Sequence, residues 1–98
     1  MKDLSVTAFE MTVLNLARNH LCTVIGILDA GTTDVLAEEY FEATTVLEAL
    51  IELCHVEESG MSEGAVERML FLEKQYTEVK RAAAAGEPVI KRDRSKLN

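Results

Sequence analysis

Apolar side chains recur at alternating intervals of three and four along three separate stretches of this 98-residue chain. The first runs Leu14, Ala17, Leu21, Val24, Leu28, and the second Leu36, Tyr40, Ala43, Leu47, Leu50, Cys54. The third is Ala65, Met69, Leu72, Tyr76, Val79, Ala83. Residues three and four apart share a helix face, so this spacing marks the seam of packed α-helices. Strand alternation appears nowhere at comparable length. The expected fold class is all-α, a three-helix domain built on a long antiparallel helical hairpin.

Local signals bound the three helices. Thr7-Ala8-Phe9-Glu10 fits a capping box, with Val6 and Met11 placed as a hydrophobic staple, so the first helix is expected over about 8–28. Asp29-Ala30-Gly31 then supplies an end, with a glycine suited to the left-handed position. Thr32, Thr33 or Asp34 can cap a second helix over about 34–56, broken by Glu57-Glu58-Ser59-Gly60. Ser62 opens a third over about 62–85, stopped by Gly86 and Pro88. One domain over 1–86 is expected, and 87–98 reads as a flexible basic tail.

The first helix carries more apolar surface than one neighbour covers. A second row, Phe9, Val13, Leu16, His20, Thr23 and Ile27, lies about 100° around from the first. Two arrangements use it. Either this helix is central, with the others on its two sides, or part of the stripe buries against a second copy in a homodimeric bundle. A domain this small has little core to spare, which favours the homodimer.

Charge is segregated along the chain. Every charged residue from Asn19 to Glu67 is acidic, whereas Lys and Arg outnumber acids from Arg68 onward. The net charge is −7, which disfavours direct nucleic-acid binding. On the second helix, Glu38, Glu42 and Glu52 cluster opposite the core seam, with Glu48 on the flank. On the helical wheel Phe41 projects between Glu48 and Glu52, on the polar side. One reading of this face is a solvated surface that keeps the protein soluble, and a tail or second protomer covering Phe41. The sharper reading is a contact surface for the basic surface or groove of another protein, because aromatics are enriched at interface hot spots. Its residues are Glu38, Phe41, Glu42, Glu48 and Glu52.

Signatures of chemistry are sparse. Glu52-Leu53-Cys54-His55 contains the Glu-x-x-His spacing of di-iron bundles, but a bimetal site needs two such motifs and the chain has one. In an antiparallel hairpin His20 lies opposite about Ala43, away from His55. No metal or other cofactor is expected. Cys22 and Cys54 fall near opposite ends of that hairpin, roughly 20 Å apart at 1.5 Å rise per residue, beyond disulfide reach. Cys54 belongs to the seam and Cys22 to a more polar side. Phosphate loops, nucleophile elbows and paired cysteines are missing from the sequence. The chain is expected not to be an enzyme. With no signal-like N-terminus and no apolar run near the roughly 20 residues that a bilayer requires, it is expected to be cytoplasmic and not membrane-bound. The function that follows is a helical protein-binding regulator or adaptor. An acidic inhibitor that mimics nucleic acid in a basic groove, of the phage counter-defence type, is the alternative.

Overall fold

A computed structural model describes residues 5–31, 37–56 and 59–90. Among them are three helices packed against one another and no strand: α1 (Ala8–Ala30), α2 (Ala37–His55) and α3 (Glu63–Ala84). The all-α expectation holds for this part of the chain.

Both ends of α1 and of α3 have an identifiable cause. The Thr7 side chain accepts the Glu10 N–H at 3.1 Å, and Glu10 accepts the Thr7 N–H at 2.9 Å, which completes the capping box. At the other end α1 continues two residues beyond the expected Leu28. Asp29 and Ala30 stay helical, and Gly31 is the first residue to turn left-handed, at φ 62°. Its N–H then reaches Leu28 O at 3.2 Å. The expected caps of the second helix, Thr32, Thr33 and Asp34, lie outside the described residues, as does Leu36 of its seam. Helix α3 starts on Ser62, whose hydroxyl accepts the Ala65 N–H at 3.3 Å. It ends in a Schellman pattern. Gly86 at φ 74° donates to Ala83 O at 3.2 Å, and Glu87 donates to Ala82 O at 2.8 Å.

The core draws on all three helices. Leu14, Val24, Leu47 and Met69 are its largest fully buried side chains, joined by Ala17, Leu21, Ala43, Cys54, Ala65, Leu72 and Tyr76. The seams locate these residues, with shifts of one position at Leu28, Leu50 and Ala83, whose neighbours Ile27, Ile51 and Ala82 are the buried ones. Ile51 is buried while Leu50 is only half-buried. Ile51 stands one turn from Leu47 on the flank turned towards α3, where it lies beside Tyr76.

α1 packs on both neighbours more extensively than they pack on each other. Its second apolar row is divided by that arrangement. Val13 and Ile27 are buried, whereas Phe9 and Leu16 are exposed at 71% and 43%. By length and composition alone α1 is also apolar enough to cross a bilayer, contrary to the sequence reading. The core helix of a soluble protein and a signal sequence pass the same test; α1 carries core residues, and 33% of its apolar window is buried.

The segment after α3 turns back towards the end of α1. Gly86, Pro88 and Val89 share a cleft with Ile27, Leu28 and Gly31. Arg81 grips both Glu78, at 2.7 Å, and Glu87, at 3.1 Å. Of the expected tail, residues 87–89 line this cleft, and 91–98 lie outside the described residues.

Candidate functional site

The five expected contact residues are spread over about four turns of α2 and do not share one environment. Glu38, Glu42 and Glu52 are exposed, and Phe41 is 70% exposed. An aromatic ring that open to water gains nothing from the fold that holds it.

The residues flanking Phe41 reach towards the two neighbouring helices. Glu42 lines a small cleft of about 210 Å³ with Glu39 and Ala43, facing His20 and Thr23 of α1. Glu48 and Glu52 line another of about 330 Å³ with His55, facing Glu73, Tyr76 and Lys80 of α3. Glu48 is thus partly committed to the fold. It accepts a short hydrogen bond from the Tyr76 hydroxyl, and Lys80 Nζ lies 4.0 Å from its carboxylate. Lys80 also sits over the Tyr76 ring, 4.9 Å from its centre. Burial, reinforced by the Glu48 carboxylate, pushes the Tyr76 hydroxyl well above the ordinary tyrosine range. Glu48 consequently meets a neutral donor.

Glu52 and His55, the Glu-x-x-His pair, do not act together. His55 Nε2 instead contacts the carboxylate of Glu73 on α3, at 3.0 and 3.2 Å to its two oxygens. No group of three His, Cys, Asp or Glu among the described residues is arranged to hold a metal. Both cysteines are free, Cys22 exposed and Cys54 buried. Burial, and to a lesser extent the charge of Glu10, raises the Cys54 thiol.

Sequence reasoning missed Glu73, Tyr76 and Lys80 as the frame of the α2 surface on its α3 side. Tyr76 was legible as a seam residue, but its partner is 28 positions away. No periodicity relates the two. What remains on the outer side of α2 is an exposed ring, Phe41, with Glu38 and Glu42 within one turn of it and Glu52 on the same side about three turns further along. Comparison with protein-family models, curated proteins and solved structures finds nothing that matches this chain.

Proposed function

We infer that the chain is a small non-enzymatic regulator or adaptor that docks onto another protein through α2. Phe41 is the anchor, Glu38, Glu42 and Glu52 select a basic surface around it, and Glu48 braces the edge through Tyr76. The domain is built on an antiparallel α1–α2 hairpin, works in the cytoplasm and associates with a second copy of itself.

The observation that carries this reading is the 70% exposure of Phe41 on a helix face that also presents Glu38 and Glu42 within one turn. An apolar anchor ringed by charges has the layout of an interface hot spot and its rim. The placement of Glu48 weighs against a nucleic-acid mimic. The Glu48 carboxylate accepts from the neutral Tyr76 hydroxyl and has the Lys80 ammonium 4.0 Å away, so a basic groove would meet a cation beside it.

The test is capture of partners by the wild-type chain in parallel with Phe41→Ala and with a Glu38→Lys/Glu42→Lys/Glu52→Lys variant. A partner retained by the wild type and lost by both variants, all three proteins being equally helical, supports the reading. Retention by Phe41→Ala removes it. A complex that salt dissolves completely, with Phe41→Ala still bound, transfers the function to the mimic.

A further inference from the structure

An open groove of about 570 Å³ runs between α1 and α3, and no described α2 residue lines it. Its floor is apolar. Leu14, Leu21 and Leu72 form it, each almost fully buried, and Phe71 stands as a wall at 62% exposure. Its rim is basic. Arg18 is the only Lys or Arg between Lys2 and Arg68, and the fold brings Arg18 and Arg68 to the same groove. Both arginines are exposed. Glu67 also lines the groove and is engaged in an interaction of its own.

This groove is the chemical complement of the α2 surface. One side offers apolar walls between two guanidinium groups; the other offers an exposed ring between carboxylates. We propose that the groove receives the Phe41 ridge of a second copy of this chain. Phe41 enters between Phe71 and the leucine floor, and Glu38 and Glu42 meet Arg18 and Arg68. The cleft lies within the range of roughly 300–1,000 Å³ typical of binding sites, ample for one aromatic side chain. Arginine suits the rim because its planar fork pairs with carboxylates bidentately.

The contact is heterologous, since ridge and groove are different surfaces of one chain. It rests on the reading of the Phe41 face as a docking surface and names an occupant for it. Self-association also hides that face, so a second copy competes with any other partner that uses Phe41.

Sedimentation equilibrium over a concentration series at low salt tests the proposal. The wild type should rise above its monomer mass of 10.8 kDa. Phe41→Ala and Arg68→Glu should each weaken association roughly tenfold or more. Each variant retains one intact surface, so mixing the two should restore a complex that neither forms alone. Two further results would overturn the proposal besides a wild type that stays monomeric. One is association that survives both substitutions; the other is a mixture that stays monomeric when both variants have lost association.

Cys22 gives a readout that needs no substitution. It lines the groove and is exposed, whereas Cys54 is buried. Maleimide labelling of Cys22 should slow as association proceeds, and an unchanged rate in the associated protein would place the contact elsewhere. The docking reading is tested separately. If self-association is absent while Phe41→Ala still loses a captured partner that Arg68→Glu keeps, only the second-copy assignment falls.

Discussion

Gly26 sits in the interior of α1 with the backbone of an ordinary helical residue, and an added Cβ there meets nothing within 4 Å. Glycine at such a position costs folding entropy without easing any contact. Gly26→Ala should raise stability by about 0.5–1 kcal/mol. Gly31 also has open space around it, but its φ of 62° is left-handed. Gly31→Ala should therefore lower stability by about 1–2 kcal/mol. Urea denaturation of the two variants checks both signs at once. A destabilised Gly26→Ala would mean that α1 has a neighbour at that point beyond the described chain.

Element termini show best where sequence reading reaches and where it stops. Thr7 and Glu10 are three residues apart, so their capping box was legible from the local pattern. Glu10 does more than close that box. Its carboxylate also accepts the backbone N–H of Ser62 at 2.5 Å and the Ser62 hydroxyl at 2.8 Å. One buried acid thereby ties the N-terminus of α1 to that of α3, across 52 positions. Both helix dipoles present their positive ends to it. The Ser62 cap was legible and its link to Glu10 was not, because only the packing of α1 on α3 creates it. The same holds for His55, which the sequence groups with Glu52 and the fold gives to Glu73.

The Glu10 clamp has a consequence for acid stability. The Ser62 backbone N–H, then that of Thr7, holds the Glu10 carboxyl below its ordinary value of 4.5. A depressed folded value means the stabilisation is complete above that ordinary value. It is lost as pH falls through the lower folded one. Glu10→Gln should be less stable than the wild type at neutral pH, and the gap should narrow as the solution is acidified below about 4.5. Ser62→Ala, which removes a cap and one of the donors, should cost about 0.5–2 kcal/mol near neutrality. Thermal unfolding at a series of pH values compares them. A gap that stays constant down the acid limb would show that the Glu10 charge contributes nothing to the link.

At the scale of the whole molecule, the question left by the sequence is what becomes of the wide apolar stripe on α1. Periodicity can count apolar residues around a helix, but it cannot say how many neighbours are available to cover them. Within one chain the fold covers about half the stripe: α2 and α3 bury Val13 and Ile27 and leave Phe9 and Leu16 open. The run Met69-Leu70-Phe71-Leu72 carries the same message in α3. Four consecutive apolar residues span more than a full turn, so no single core face holds them, and Leu70 and Phe71 are the exposed pair. In the isolated chain, replacing an exposed apolar residue should leave stability nearly unchanged. Phe9→Ser/Leu16→Ser should therefore unfold within about 0.5 kcal/mol of the wild type. Leu14→Ala on the same helix removes a 1% exposed core side chain and should cost about 2–5 kcal/mol. Measuring both at low and high protein concentration decides who covers the stripe. If the Phe9/Leu16 variant is neutral throughout, the stripe plays no part in any association. If its cost grows with concentration, a second copy buries Phe9 and Leu16, because an interface stabilises the folded chain only where partners are abundant enough to form it.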